Sequence, residues 1–414
     1  METYVTLLRV FQIGHLKDFE INLSENRGKH LIVTGRNGSG KTRLLNSIKT
    51  FFSANFYAYT SNVQDYEYKM QKIKDIEEKL PGGVKETAEL LEARASLSLT
   101  ESILKSYGGL GIQMNKPLKY IDAEYENGSF IIAYYAATRT SQQFAVPSGM
   151  KILDLKRHKI EDDPSAVFLQ HLVNLKAQRS LARDEGDHDF AIEVDNWFEN
   201  FEIILRELFE DRELKLTFEY RSFRFTVMMG NGQNFDLSTL SSGYSAIIKI
   251  IGDLIIRMEA VGHRSFKVPG LVIIDEVDVH LHVSLQKKVM PLLTGVFPNI
   301  QFIVSTHSPF VITSLPNAVV YDLEMRKHMI DLSAYSYEGI IENYFELDLY
   351  SSLIKKNIAR YEELSERDPS EVGDTERSEL ANLESQFLNV PNDAAPELKS
   401  KFLGIFLKNR GRRK

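Results

Sequence analysis

The chain has 414 residues, a formal net charge of −7 and no cysteine. A chain of this length buries a large core and exceeds one typical compact unit. Without cysteine it forms no disulfide and no thiolate metal site, and its acidic balance argues against nucleic-acid binding by the surface as a whole. The start lacks the pattern of a signal peptide, and no run of about 18 apolar residues occurs, so we expect a cytoplasmic protein without membrane contact.

The first informative element is an apolar strand that runs into a glycine-rich loop. Leu31 to Thr34 is followed by the pattern G-x-x-x-x-G-K-T. Glycines let backbone N–H groups turn inward around a phosphate, and the following helix adds the positive end of its dipole. Lys41 would reach the β- and γ-phosphates of ATP, and the Thr42 hydroxyl would ligate Mg²⁺. The predicted nucleotide-binding residues are Gly35, Arg36, Asn37, Gly38, Ser39, Gly40, Lys41 and Thr42.

The region after this loop predicts helices inserted into the nucleotide-binding fold. Apolar residues recur at helical spacing from Met70 to Leu80 and again from Val84 to Ala95, on either side of a Pro-Gly-Gly break. A strand is expected at Phe130–Tyr135, a second helical block at 164–208, and two alternating strands at 214–219 and 223–229.

Three later motifs carry chemistry. Ser241, Ser242 and Gly243 open an apolar helical run, where free N–H groups can face an anion, although a plain capped helix has the same pattern. Asp275 and Glu276 follow an apolar strand, where Asp275 would hold Mg²⁺ and Glu276 would polarise the attacking water; an ordinary strand end is the alternative. His307 follows the strand Gln301–Ser305, a place where most histidines are structural.

The order of these motifs resembles the heads of ABC-type ATPases, specifically the SMC/RecF/OLD-like branch, and the strands at Leu7–Ile13 and Leu16–Ile21 fit that branch. The resemblance implies an α/β fold: an ABC-ATPase head (a P-loop NTPase) with helical insertions and a C-terminal helical region. It also implies a head dimer or higher homo-oligomer, in which Ser241, Ser242 and Gly243 of one chain face the γ-phosphate held by the other. Glu276 would be the general base, and His307 would sense the γ-phosphate.

Several passages are similar to the PtuA family of ATPases in Septu and retron anti-phage systems. They are Leu240–Ile248, Ile274–His282 and Phe297–Pro309. This resemblance implies a regulatory ATPase that controls a separate HNH-type nuclease, a PtuB-like subunit. A RecF/SMC-like DNA repair or DNA-tethering ATPase is the alternative, and a transporter subunit is disfavoured by the N-terminal strands and insertions.

Two positions depart from the ABC pattern. Tyr244 stands where many signatures have Gln or Glu, and the glutamine loop has only Gln142 and Gln143 as weak candidates. Two further patterns are weighed and set aside. Glu213-Leu214-Lys215 has the form of some nuclease cores but lies in a predicted strand, and His280-x-His282 matches an inter-subunit loop better than a metal site. We therefore predict no intrinsic nuclease.

The predicted organisation alternates between head and insertion. The head occupies 1–54, 128–150 and 211–330, with a helical insertion at 55–127 and a helical subdomain at 151–210. The C-terminal helical region, 331–414, is the candidate partner-binding part. It ends in a basic tail, Lys408 to Lys414, which could contact DNA or RNA or be a solvated terminus.

Overall fold

The computed structural model of the protein describes residues 1–24, 27–54, 59–79, 87–138, 144–153, 155–261, 266–329, 352–367, 372–389 and 396–412. The chain divides into two compact units, Met1–Ala334 and Tyr335–Lys414. Among the described residues, no helix combines the length and the apolar character needed to cross a membrane.

The elements of the first unit alternate between strands and helices. The strands are β1 (Val5–Ile13), β2 (Leu16–Asn22), β3 (His30–Thr34), β4 (Leu110–Met114), β5 (Ile131–Tyr135), β6 (Lys215–Glu219), β7 (Arg224–Met228), β8 (Asn234–Asp236), β9 (Gly270–Ile274), β10 (Ile300–Ser305), β11 (Ala318–Asp322) and β12 (Lys327–Met329). The helices are α1 (Lys41–Ser53), α2 (Tyr59–Lys79), α3 (Ala88–Ser106), α4 (Leu118–Glu126), α5 (Phe168–Asp184), α6 (His188–Phe209), α7 (Ser242–Glu259), α8 (Val283–Gln286), α9 (Val289–Val296) and α10 (Pro309–Ile312).

A six-stranded sheet in the order β12-β11-β3-β10-β9-β5 organises this unit. Its strands run parallel except for β12, which is antiparallel to β11. Every residue of β3, β9 and β10 is buried, as expected for central strands covered on both faces. Because these three strands are parallel neighbours, the loops that follow them meet at one edge of the sheet.

A second sheet has the order β2-β1-β4, with β1 antiparallel to both neighbours. Helix α1 lies against both sheets, and Leu44, Ile48 and Phe51 on its buried face join a core with residues of β1, β3 and β10. The strands predicted at Leu7–Ile13 and Leu16–Ile21 are present as β1 and β2.

The range predicted as a helical insertion, 55–127, is more than helices. It contains the helical pair α2 and α3, but β4 then returns to the head and pairs with β1. The turn before β4 is close to β1: a Cβ on Gly109 (φ +73°) would lie 2.1 Å from the carbonyl oxygen of Gln12. A five-residue strand is too short to show a clear period, so the pattern of the sequence missed it.

The second helical block is the pair α5 and α6, followed by the antiparallel sheet β6-β7-β8, as the sequence predicts. The second compact unit contains the helices α11 (Ser352–Glu366), α12 (Asp374–Leu388) and α13 (Pro396–Arg412). These pack around a buried aromatic cluster of Tyr361, Phe387 and Phe402. The predicted α/β head with a C-terminal helical region is confirmed.

Candidate functional site

The glycine-rich loop connects buried strand β3 to helix α1. Gly35, Gly38 and Gly40 have φ angles of +132°, +85° and +104°, which side chains rarely adopt. Gly40 is also in close contact with the turn between β1 and β2, since a Cβ there would lie 2.9 Å from Cδ1 of Leu16. Around Gly38 the space is open, so the backbone of this loop can approach a ligand.

Lys41 is the first residue of α1, and it is buried. Its ammonium group donates hydrogen bonds to the carbonyl oxygens of Gly35 (2.8 Å) and Arg36 (3.2 Å). Burial lowers the pKa of Lys41, while the carboxylates of Glu276, Asp275, Asp278 and Asp322 act in the opposite direction. A single cation therefore lies within electrostatic reach of acids that follow β9 and β11.

The start of α1 suits an anion such as a phosphate. It has no side-chain cap and no acidic residue in its first turn, so its positive dipole end is not neutralised locally. Arg36, Asn37 and Thr42 are exposed around it. The Ser39 hydroxyl is buried and has no hydrogen-bond partner among the described residues. These groups fit a polyphosphate with its bound Mg²⁺.

Asp275 and Glu276 follow β9, directly beside the end of β10. Ser305 donates a hydrogen bond from its hydroxyl to Oδ1 of Asp275 (2.6 Å), and the same hydroxyl accepts one from the N–H of Glu276 (2.7 Å). Glu276 has a φ angle of +48°, a left-handed conformation that is unfavourable for a residue with a side chain. The contacts with Ser305 hold this strained backbone in place.

His307 lies two residues beyond β10, on the same edge of the sheet. Its Nε2 is buried without a hydrogen-bond partner among the described residues. Burial and the nearby charge of Lys41 lower the pKa of His307, although Asp278, Glu276 and Asp275 oppose the shift. The imidazole is therefore biased toward its neutral form, in which Nε2 can donate or accept one hydrogen bond.

Ser241, Ser242 and Gly243 form the start of α7. Ser241 and Ser242 are exposed, and no hydrogen bond among the described residues joins either side chain to the loop at Gly35–Thr42. Gly243 is buried against the loop that follows Glu276: a Cβ there would lie 3.1 Å from the carbonyl oxygen of His280. The structure thus leaves the two serines facing outward from an uncapped helix start.

Tyr244 departs from the ABC signature because its ring is used for packing. It stacks on Phe209, with ring centroids 4.4 Å apart and planes 10° apart. Phe209 in turn stacks on Phe235 at 5.9 Å and 18°. This three-ring stack joins the end of α6, the start of α7 and strand β8.

The sequence missed several groups that complete this edge of the sheet. Asp278 accepts a hydrogen bond of 2.5 Å from the hydroxyl of Thr306, and His15, in the turn after β1, lies with Nε2 3.0 Å from the carbonyl oxygen of Ser39. Asp278 has a signal in its place two residues after Glu276, whereas nothing in the sequence connects His15 to a loop 24 residues away.

Other candidates stay outside this arrangement. Gln142 and Gln143 lie outside the described residues. His282 caps the short helix α8, where the N–H of Ser284 lies 3.5 Å from its Nδ1. In the part of the chain that the structure describes, no group of three or more His, Asp or Glu side chains is arranged to hold a metal ion.

One edge of the parallel sheet therefore carries the Gly35–Thr42 loop after β3, two carboxylates after β9 and a histidine after β10, with an outward-facing Ser-Ser-Gly helix start in the same unit. The chain has the head fold of an ABC-type ATPase. Within this ABC-type head, α2 and α3 and the pair α5 and α6 are the helical additions.

Comparison with known proteins agrees. Residues 110–313 match the family described as "AAA domain, putative AbiEii toxin, Type IV TA system". The chain is 24% identical to the Retron Vc95 probable ATPase of Vibrio cholerae serotype O1 biovar El Tor, over 77% of this chain and 74% of that one. It is 31% identical to the Septu protein PtuA of Bacillus mycoides (strain KBAB4), over 36% of this chain and 22% of that one.

Among solved structures, the SMC head domain from Thermotoga maritima matches with 16% identity and a TM-score of 0.38, covering 77% of this chain and 94% of that one. A TM-score this low carries no argument of its own, and the assignment of the ABC-type head depends on the arrangement described above. The resemblance to the ATPases of retron and Septu systems is confirmed.

Proposed function

We propose that this chain binds ATP with Mg²⁺ and hydrolyses it in sites shared by two copies, and that its nucleotide state controls a separate HNH-type nuclease in anti-phage defence. The observation that carries the ATPase part is the meeting of Lys41, Asp275, Glu276 and His307 at one edge of the sheet. The part in defence depends on the similarity to retron and Septu ATPases.

The loop from Gly35 to Thr42 would hold the phosphates. Its backbone N–H groups and the start of α1 supply fixed positive dipoles, and the Lys41 ammonium would exchange its bonds to Gly35 and Arg36 for phosphate oxygens. Thr42 and Asp275 would hold Mg²⁺, which neutralises phosphate charge when bound.

Glu276 would act as the general base. Its backbone is held by Ser305, so its carboxylate is positioned next to Asp275 without needing to reorganise during the reaction. His307, neutral and with a free Nε2, would form a hydrogen bond to the γ-phosphate or the attacking water. Both groups lie near Lys41, which would itself hold the γ-phosphate.

The shared site follows from the position of Ser241 and Ser242. Both are exposed at a helix start that has no side-chain cap, and neither side chain bonds to the Gly35–Thr42 loop of its own chain among the described residues. An uncapped helix start attracts anions. In a head dimer these serines and the N–H groups near Gly243 would meet the γ-phosphate bound by the partner copy.

The experiment that tests the defence role uses the chain together with the nuclease encoded beside it. We expect an HNH protein to co-purify, and its cleavage of plasmid DNA to change when ATP is added. The purified chain alone should leave plasmid and single-stranded DNA intact with Mg²⁺ or Mn²⁺. Deletion of Tyr335–Lys414 should abolish co-purification, whereas Lys41→Ala should keep it.

Two outcomes would contradict this function. Metal-dependent cleavage by the chain alone that survives Lys41→Ala would place the nuclease in this polypeptide. ATPase activity stimulated by DNA, with no nuclease partner found and a repair operon around the gene, would favour the RecF/SMC-like alternative.

A further inference from the structure

A cleft of about 640 Å³ lies away from the residues proposed to bind ATP. Its walls are α5, α6, the last residue of α7 and the segment from Met150 to Leu155. Met150, Leu153 and Leu175 contribute apolar surface, and His171 and Glu259 form a polar wall. Nothing in the proposed ATPase chemistry uses these residues.

His171 and Glu259 are an incompletely bonded pair. Both side chains are only 7% exposed, and Nε2 of His171 lies 3.7 Å from Oε2 of Glu259, which is beyond hydrogen-bond distance. Nε2 of His171 and Oε1 of Glu259 have no hydrogen-bond partner among the described residues. Buried polar groups normally have partners, because leaving them without one is costly. The pair is therefore in position to bond with a group that enters the cleft.

The charges around the pair favour a cation. Glu259 is the last residue of α7, where the helix dipole is negative, and the carboxylate of Glu193 also lines the cleft. Of the described lining residues, only Lys151 always carries a positive charge, and it is exposed and forms no ion pair among the described residues. A buried carboxylate at the negative end of a helix attracts a positively charged donor group.

The wall opposite the pair is held in place by side-chain amides. Asn174 accepts from the N–H of Lys151 (3.2 Å) and donates to its carbonyl oxygen (2.6 Å), and Gln170 donates to the carbonyl oxygen of Gly149 (2.6 Å). These bonds fix the segment that closes the cleft, although it has no regular secondary structure. A fixed wall reduces the entropy that a ligand would lose on binding.

We propose that this cleft binds a ligand with a guanidinium group on a short apolar chain. The guanidinium is planar and donates two parallel hydrogen bonds to one carboxylate, here that of Glu259, while a further N–H can reach Nε2 of neutral His171. The apolar chain would lie on Met150, Leu153 and Leu175. This inference does not depend on ATP hydrolysis or on the partner of the protein.

The first test compares two probes of the same shape. n-Butylguanidinium carries the positive charge, and n-butylurea replaces one nitrogen by oxygen and is neutral. Titration calorimetry on the full chain should show one n-butylguanidinium bound per chain and at least about tenfold weaker binding of n-butylurea, as expected when a buried carboxylate pairs with a charged donor. Equal binding of both probes would overturn the proposal.

The second test uses variants. Glu259→Gln should abolish n-butylguanidinium binding, whereas Glu207→Gln, on the exposed face of α6, should leave it unchanged. If Glu259→Gln fails to fold, Lys151→Met still decides: removal of a competing cation should tighten binding severalfold. Gln178→Trp, at the exposed mouth, should block it. Unchanged binding in folded Glu259→Gln, or weaker binding in Lys151→Met, would contradict the assignment.

A third measurement distinguishes the two sources of a guanidinium group. Agmatine represents a free small molecule, and N-acetyl-arginine-methylamide represents an arginine side chain of another protein. We expect agmatine to bind more tightly, since the cleft has room for a chain and one planar group. Tighter binding of the blocked arginine would assign the cleft to a protein side chain, and binding of neither would overturn the proposal.

Discussion

The hydroxyl of Ser305 donates a hydrogen bond of 2.6 Å to Oδ1 of Asp275, so the end of β10 positions the carboxylate that follows β9. The same oxygen accepts from the N–H of Glu276. Ser305→Ala should therefore disturb both acids at once. We expect ATP turnover to fall about tenfold or more, and the free energy of unfolding to decrease by about 1–3 kcal/mol, because buried polar groups lose their partner.

Phosphate-release kinetics and urea unfolding measure these two effects separately. Ser180→Ala is the matched control, since Ser180 is exposed on α5 and its hydroxyl donates only to the carbonyl oxygen of Lys176. It should change neither quantity. Normal turnover in Ser305→Ala would show that Asp275 and Glu276 do not need this contact.

The shared site predicts complementation between two inactive variants. Lys41→Ala removes the cation of the loop, and Ser241→Arg blocks the helix start that faces the partner copy. Each variant alone should be inactive. Mixed dimers regain one intact site of two, so an equal mixture should recover about a quarter of the wild-type rate if subunits combine at random. If two folded, dimeric variants exchange subunits and recover nothing, the shared site is wrong.

Replacement of the proposed base should separate binding from hydrolysis. Glu276→Gln keeps the shape of the side chain but cannot take a proton, so turnover should fall at least about tenfold while ATP–Mg²⁺ still binds. Lys41→Ala should instead weaken binding, because it removes a charge-assisted contact with phosphate. Glu199→Gln, exposed on α6, is the control. Fluorescent-nucleotide binding and phosphate release distinguish the cases, and near-normal turnover in Glu276→Gln would require another base.

Stability should depend on pH through His30 in β3. Burial lowers the pKa of His30 from 6.5 to about 4, and its Nδ1 accepts a hydrogen bond of 3.1 Å from the N–H of Phe302. Between these values the unfolded chain binds a proton that the folded chain does not. The free energy of unfolding should therefore fall as pH drops from 6.5 to about 4, by about 3 kcal/mol in total, with no effect of this group at higher pH.

Urea unfolding at a series of pH values checks this expectation. His30→Asn keeps a side-chain oxygen that can accept a hydrogen bond and removes the titration, so its stability should depend less on pH in that range. His188→Asn, at an exposed position, should behave as the unsubstituted chain does. An unchanged pH dependence in His30→Asn would mean that other groups cause it.

Local patterns predicted the parts of the site that lie within one short segment. The loop at Gly35–Thr42 and the acids at Asp275–Glu276 each combine an apolar strand with the residues that follow it, so a window of about a dozen residues contains the whole signal. The strand-end position of His307 was equally local. The roles of these residues stay predictions, but their placement at one edge follows from the parallel order of β3, β10 and β9.

Contacts between distant segments could not be predicted. The bond between Ser305 and Asp275 joins residues 30 positions apart, and the pairing of β4 with β1 spans about a hundred. The use of Tyr244 for stacking on Phe209 was likewise hidden, since neither residue is unusual in its own segment. Such relationships depend on how the chain folds back on itself, which the periodicity of a segment does not record.

The stack of Tyr244, Phe209 and Phe235 has an evolutionary consequence. Aromatic rings that face each other in this way lose their contact if one of them is replaced by an amide or an acid. Position 244 and position 209 should therefore change together among related chains. Where a relative has Gln or Glu in place of Tyr244, we expect a non-aromatic residue in place of Phe209, and an alignment of such relatives would show the two columns covarying.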